Sequence, residues 1–400
     1  MSAPLQVKFW FRPEHSVLSV RSIRFHYKPS QNLDWLFQTF RLMCNDAIRI
    51  ALEGRPKNRF TLIALAYQRL KCYGLHTHYI LSACEIAHSV YRNKNRKSEP
   101  YIKKPFIKLD FQTYVLEGLT LRIPLKPRQF VYLNLQDSDY HVSFLTDPSL
   151  KRGSLTATDS TINIAFSKET AQIKPLGQIG IDVNERNLTW SDSEGNSEMV
   201  DTSDIAEIKA RYKTIRAKIS RHTKRDLRIQ QRLLNKYGRH EKNRTTQRLH
   251  RISKAIVEHA GKKQCWIVLE RLKGMRKLFQ RGNGQGSSYR GRMNSWSFHE
   301  VQRQIEYKAA WQGIPVVYVN PRGTSRNCPC GSNIVVLDNR QVWCPACEKT
   351  WDRDVLASKN IMARMVLRDR PSEGRCDRES ELGNATVIPR PDGWKLTIQQ

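Results

Sequence analysis

WCPACEKTWDRDVLASKNI, residues 343–361, is the stretch on which the fold of this 400-residue chain turns. Cys344 and Cys347 stand three apart across Pro-Ala, a spacing that lets two thiolates grip one metal ion. A second pair, Cys328 and Cys330 in CPCG, lies just upstream and is one residue tighter than usual. Two cysteine pairs about a dozen residues apart predict a structural zinc ribbon over residues 325–349, with Cys328, Cys330, Cys344 and Cys347 as ligands. The stretch then runs into two carboxylates, Asp352 and Asp354. The four-residue repeat of Ala357, Ile361 and Met365 predicts a helix from about residue 354 to 367. Both acids lie at its start. Asp354 falls near the inward face, and Asp352, two residues earlier, is better placed to cap the helix. The other cysteines (Cys44, Cys72, Cys84, Cys265 and Cys376) read as ordinary thiols, and the pattern suits a reducing cytosol better than a disulfide framework.

Two more acids sit alone on apolar runs far upstream, Asp182 in QIGIDV and Glu270 in CWIVLE. A carboxylate within an apolar strand is costly unless it is paired or binds metal. A glutamate closing a strand is by itself more often a solvated terminus. The order carries the weight: strand–Asp–turn–strand, then helices, strand–Glu, and a late helix opening with Asp. This is the layout of an RNase H-like fold, whose first strand, a neighbouring strand and a late helix present acids to a two-metal site. Two Mg²⁺ ions about 4 Å apart can orient a water and stabilise the leaving oxygen in phosphodiester cleavage.

Charge points the same way. Lys and Arg number 68 against 37 Asp and Glu, a formal net charge of +31. Such a surface repels itself unless an anion shares it, and nucleic acid is the default partner. No apolar run is long enough to span a bilayer, no basic amphipathic anchor or lipidation motif is present, and the first residues lack the apolar core of a secretory signal. With 39% hydrophobic and 9% aromatic residues the composition is globular. The charge concentrates over residues 203–260. There Ile205, Ile208, Tyr212, Ile215 and Ile219 form one apolar seam, surrounded by Lys209, Arg211, Lys213, Arg216, Lys218, Arg221, Lys224, Arg225, Arg228 and Arg232. A basic run is ordinarily a solvated helix face. Here acidic partners are too few for pairing along the helix to account for it, so these side chains are expected to meet phosphates. Gly238 is expected to break the helix, and Leu249, Ile252 and Ile256 to line an antiparallel return.

The first half divides by periodicity. Residues 5–11 (LQVKFWF) and 17–27 read as strands, and residues 32–52, 60–73 and 76–93 as helices. Short strands then follow to residue 174: FIKLDF, LTLRIPL, FVYLNL, YHVSFLT and TINIAFS. This predicts an antiparallel barrel interrupted by a helical insertion. Residues 281–292 (RGNGQGSSYRGR) read as a mobile basic loop, and residues 369–400 as a disordered tail.

The segments GIDVNERNLTW, VLERLKGMR, SWSFHEVQRQIEYKAAWQGIPVVYVNPRGTSRNCPC and WCPACEKTWDRDVLASKNI resemble, in order and spacing, the RuvC segments and zinc ribbon of TnpB. TnpB is the transposon-encoded family of RNA-guided nucleases and the apparent ancestor of the type V CRISPR effectors. The resemblance is specific over residues 178–361; upstream it rests on architecture. It implies an α+β multidomain protein. A β-barrel wedge domain (1–30 and 105–174) would hold an inserted helical recognition domain (31–104). An RNase H-like RuvC nuclease domain (175–324 and 350–368) would carry the ribbon. It further implies Asp182, Glu270 and Asp354 as catalytic acids and Mg²⁺ ligands, structural Zn²⁺, a guide RNA, a target DNA and a prokaryotic cytoplasmic, nucleoid-associated location. Three features depart from the family: Asn184 replaces a usual Gly, tolerable because Asn accepts left-handed geometry, Leu356 replaces a common Asn, and the Cys328–Cys330 pair is short. No catalytic acid is missing. The reading is an RNA-guided DNA endonuclease cutting beside a short DNA motif. A miniature type V CRISPR effector, a non-cleaving RNA-guided repressor and a plain zinc-ribbon nucleic-acid-binding protein stand as alternatives.

Overall fold

The computed structural model describes residues 16–28, 31–93, 99–136 and 138–367, together with the backbone of two strands at 385–388 and 395–398. Its contacts divide it into two compact units, whose main described parts span residues 18–169 and 170–367.

In the first unit, β1 (Ser16–Tyr27) buries Ile23, Phe25 and Tyr27 while the residues between them face out, the period of two that makes a half-buried strand. Three helices follow: α1 (Gln31–Gly54), α2 (Arg59–Lys71) and α3 (Thr77–Arg92). Asn58 starts α2 by accepting the Thr61 N–H at 3.0 Å. Helices α1 and α3 pack together through buried Phe40 and Tyr79, whose rings meet edge-on with centroids 5.6 Å apart. The chain continues through β2 (Ile107–Leu109), β3 (Val115–Glu117), β4 (Thr120–Lys126), β5 (Gln129–Gln136), α4 (Asp139–Thr146), β6 (Lys151–Ala157) and β7 (Thr161–Ala171). The strands make one sheet in the order β2-β6-β7-β1-β5-β4-β3. Because β1 lies inside it, the three helices leave and re-enter the same sheet, as an insertion does. The strand read at residues 5–11 lies outside the described residues. Among the described residues β2 and β3 are unpaired edges, so the barrel read from the sequence is here an open sheet.

YHVSFLT, read as a strand, is helix α4. Its aromatic residues Tyr140 and Phe144 satisfy a helical spacing as well as an alternating one. Their rings touch at 5.3 Å, and Phe144 packs on Phe166 at 5.8 Å.

The second unit contains β8 (Gly177–Val183), β9 (Asn187–Asp192), β10 (Ser197–Asp201), α5 (Ser203–His222), α6 (Leu227–Lys262) and β11 (Cys265–Glu270). These are followed by α7 (Ser287–Ser295), α8 (Phe298–Trp311), β12 (Val316–Val319), β13 (Val335–Val336), β14 (Gln341–Cys344), β15 (Lys349–Asp352) and α9 (Arg353–Leu367). The main sheet has the order β10-β9-β8-β11-β12. Strands β8, β9 and β10 are antiparallel, and β11 runs parallel to both β8 and β12. Alternation along β11 splits the core. Ile267 and Leu269 join a cluster with Ile181, Ile256 and Ile305, while Val268 faces Val319 and Ile361 of α9. Helix α9 lies close on β8 at Gly180. A Cβ there would stand 2.2 Å from Ser358 O and 2.7 Å from Met362 N, so glycine is the residue that admits the helix.

Three further features differ from the sequence reading. Helix α6 runs straight through Gly238. The break falls earlier, at residues 223–226, where Asp226 caps α6 by accepting the N–H groups of Arg228 and Ile229 at 2.9 and 3.0 Å. One interior glycine costs a long helix only about 1 kcal/mol, too little to end it. Part of the glycine-rich segment read as a loop is helix α7. In the segment read as a disordered tail, β16 (Ala385–Ile388) pairs antiparallel with β17 (Lys395–Ile398).

A Cβ at Gly238 would meet nothing within 4 Å. Gly238→Ala is therefore expected to stabilise the protein by about 0.5–1 kcal/mol, read as a higher denaturation midpoint. A lower midpoint would show that the helix needs glycine there.

Candidate active site

Asp182 is the next-to-last residue of strand β8, its parallel neighbour β11 ends on Glu270, and Asp354 lies in the first turn of α9. Asp182 is 8% exposed and Asp354 3%. Each carboxylate has neighbours holding it. Asn184 donates to Asp182 Oδ2 at 2.8 Å, and Asn187 donates to Asp354 Oδ2 at 2.7 Å. Thr324 donates its hydroxyl to Glu270 Oε1 at 2.6 Å, and Gln302 donates to the Glu270 backbone carbonyl at 2.8 Å. The guanidinium of Arg340 donates to Asp354 Oδ1. Asp352 accepts the N–H of Asp354 at 2.8 Å and that of Val355 at 3.2 Å. It therefore caps α9, whereas the Asp354 carboxylate takes its bonds from Asn187 and Arg340.

Burial raises the Asp182 carboxyl from 3.8 to about 7, with Glu270 and then Asp354 adding repulsion against the opposing Asn184 bond and the Arg340 charge. Burial likewise raises Glu270, opposed by the Thr324 bond and the Arg364 charge. Asp182 thus feels both other acids, and carboxylate oxygens are the donors that a hard divalent cation takes. The three acids are not drawn to one point: Arg340 holds Asp354 and Thr324 holds Glu270.

Among the described residues, the four cysteines are the group whose donor atoms close fully. Their sulfurs all lie within 4.8 Å of one another, with Cys328–Cys347 at 3.8 Å and Cys330–Cys344 at 3.6 Å. A tetrahedron with Zn–S bonds near 2.3 Å has edges of about 3.8 Å, so the cluster fits zinc. The tight Cys-x-Cys pair reaches this geometry through Gly331 at φ +95°, whose N–H bonds back to Cys328 O at 2.8 Å. Without metal the thiols share their protons unevenly: the Ser332 backbone N–H lowers Cys330 to about 6, while burial raises Cys328 and the bond to Cys330 raises Cys347 to about 12.

The sequence reading missed Arg340, which sits on the turn between β13 and β14. Gln341 pairs with Asp352 across the β14–β15 hairpin, and Arg353 N–H bonds Arg340 O at 2.9 Å; this register brings residue 340 to the start of α9. Asn339 and Arg340 both have positive φ, 55° and 64°, an uncommon state for residues other than glycine. Asn184 is absent from that left-handed region; it serves the site through its side chain instead. Of the ten basic residues singled out on α5 and α6 or the turn between them, Arg211, Lys213, Lys218, Arg221, Lys224, Arg225, Arg228 and Arg232 are exposed. The other two are engaged internally: Lys209 donates to Ser295 O, and Arg216 pairs with Glu241.

Comparisons with known proteins show the family of the chain. Residues 298–361 match the family model of the Cas12f1-like TNB domain. The TnpB-like protein MJ0751 of Methanocaldococcus jannaschii is 32% identical over 260 residues, covering 63% of this chain and 92% of the relative. The chain belongs to the TnpB family. It is also related to the Cas12f effectors: the CRISPR-associated endodeoxyribonuclease Cas12f1 of Sulfoacidibacillus thermotolerans is 31% identical over 118 residues, 28% of this chain and 25% of that one. A solved complex of Cas12f1 with sgRNA and target DNA aligns with a TM-score of 0.59 at 12% identity, covering 83% of each chain, a likeness of fold.

The Asp182 shift has a consequence for stability. The unfolded side chain ionises near 3.8 and the folded one near 7. Folding therefore gains from the proton fully below the unfolded value, and that gain is lost as pH rises through about 7. Without divalent cations, Asp182→Asn, which cannot ionise, is expected to melt several degrees above the parent at pH 8, the difference vanishing toward pH 4. A pH-independent difference in melting temperature would contradict the shift.

Proposed function

We propose that the chain is an RNA-guided DNA endonuclease that cuts target DNA beside a short motif with one carboxylate site. The observation that carries this reading is the convergence of Asp182, Glu270 and Asp354 from two parallel strands and a helix, with Asp182 raised to about 7 by burial and by its acidic neighbours. In this reading the second unit is an RNase H-like RuvC domain, and the first is a wedge domain with an inserted recognition bundle. The order β10-β9-β8-β11-β12, antiparallel and then parallel, supports the former, and α1–α3 inserted into one sheet support the latter.

The protein's own groups divide the work. Asp182, Glu270 and Asp354 would hold Mg²⁺, which when bound neutralises phosphate charge and activates water. Asn184, Asn187 and Thr324 fix the orientation of the three carboxylates. Arg340 is 59% exposed at its side chain and lies at the edge of the site, where a guanidinium suits a phosphate oxygen. The cysteine cluster would hold structural Zn²⁺. The exposed cations of α5 and α6 and the turn between them form a surface for a guide RNA and its DNA duplex, with sequence read by base pairing as in another class of RNA-guided nuclease. The setting is a prokaryotic cytoplasm, at the nucleoid. A guide supplied by a CRISPR array would change its source and not this chemistry.

The test is to sequence the RNA that copurifies with the protein and offer matching DNA with Mg²⁺. Cleavage is expected from the parent and from Asp352→Ala, the latter with about 1 kcal/mol less stability through loss of the cap. Asp354→Ala is expected to lose cleavage by several orders of magnitude while RNA and DNA remain bound. Cutting by Asp354→Ala together with a dead Asp352→Ala would reverse the assignment.

A further inference from the structure

The ribbon reaches the carboxylate site by two routes. One is Arg340, already placed on Asp354. The other begins at Asn327, the residue before the zinc ligand Cys328. Its carbonyl accepts from Asn360 Nδ2 at 2.6 Å, and the same amide nitrogen donates to Thr324 O at 2.8 Å. Thr324 in turn donates its hydroxyl to Glu270 Oε1. Asn360 is 8% exposed and Thr324 5%, so water does not compete freely for these bonds. The single Thr324 proton has a second acceptor, Pro321 O, at 3.1 Å. The carboxylate oxygen is the nearer, at 2.6 Å, and so takes it.

The route joins two things that the backbone does not. Residues 324–327 lead into the first cysteine pair, and Asn360 belongs to the helix that carries Asp354. Asn360 clamps that entry segment to α9. With the segment clamped, the Thr324 hydroxyl stands at a fixed place beside Glu270. If the ribbon loosens, the Asn327 carbonyl moves, the clamp slackens and Glu270 regains its rotamers. A flexible carboxylate binds a cation more weakly than a fixed one, because its ordering must then be met at binding.

We propose that the four-cysteine ribbon positions the nuclease carboxylates: through Asn360 and Thr324 it fixes Glu270, so that filling the cysteine site raises the affinity of the carboxylate site for divalent cations. Thr324 and Asn360 are then positioning residues, acting through Glu270 and touching no substrate. The proposal rests on the reading of Asp182, Glu270 and Asp354 as cation ligands. Coupling of this kind is reciprocal and typically amounts to about 5- to 150-fold in affinity.

The experiment measures Mn²⁺ binding to the full chain by calorimetry, with zinc content and melting temperature followed alongside. Thr324→Val keeps the shape of the side chain and removes the hydroxyl; it is expected to weaken Mn²⁺ binding at least about 5-fold at unchanged zinc content. Thr324→Ser, which keeps the hydroxyl, is expected to recover most of that loss. In the parent protein, chelating the zinc is expected to weaken Mn²⁺ binding to a similar degree, and returning zinc to restore it. Parental Mn²⁺ affinity in Thr324→Val, or an affinity indifferent to zinc, overturns the positioning role, provided that Glu270→Gln still weakens binding. If Glu270→Gln also binds Mn²⁺ as the parent does, the carboxylate reading itself fails, and the proposal with it.

Discussion

Helix α9 can lie on strand β8 because residue 180 has no side chain. Two backbone atoms of the helix occupy the space a Cβ would need. That approach brings Asp354 beside Asp182, although 172 positions separate them in the chain. It also seals one face of the sheet, so that both acids are buried. The requirement is steric and local, yet it decides whether the two carboxylates form one site. Ser358, whose carbonyl meets Gly180, also bonds Ser191 of β9 through its hydroxyl at 2.5 Å, so α9 is tied to two strands at once.

Gathering acids in a dry place is unfavourable, and the structure offsets that cost with neighbours of opposite kind. Asn184, Asn187, Thr324 and Arg340 each donate to one carboxylate oxygen. Removing any one donor would leave a buried charge less satisfied, at a cost of about 1–3 kcal/mol. Arg340 adds the only full positive charge among them. Its backbone sits at φ 64°, and such strain in a non-glycine residue persists where surrounding structure requires it. The register of the β14–β15 hairpin supplies that requirement. The ribbon thus reaches the acids through a turn as well as through the segment that leads into its first cysteine pair.

Much of this was legible because local chemistry and local pattern agreed. Asp182 and Glu270 stand out as charges on apolar strands, and the cysteine pairs carry their own spacing. Asp352 could be separated from Asp354 by its place before the first helical turn, and its bonds to the N–H groups of Asp354 and Val355 are those of a cap. The failures share a cause. Arg340 has no sequence mark because its role depends on a strand register that places it opposite Arg353. Gly238 looked like a helix end because glycine weakens a helix, but Asp226 decides where α6 starts. YHVSFLT fits two periods over seven residues, and packing of Phe144 on Phe166 settled it as a helix. Lys209 and Arg216 look like their exposed neighbours in composition, and only tertiary contacts show them to be engaged elsewhere.

In the proposed reading Asp182, Glu270 and Asp354 form a single cation site. Crystals soaked in Mn²⁺ and measured at the manganese absorption edge test it without reference to activity. Anomalous peaks are expected in contact with all three side chains, separate from any metal of the cysteine cluster. Manganese found only at other residues, with Arg340 still on Asp354 and Thr324 still on Glu270, would contradict it.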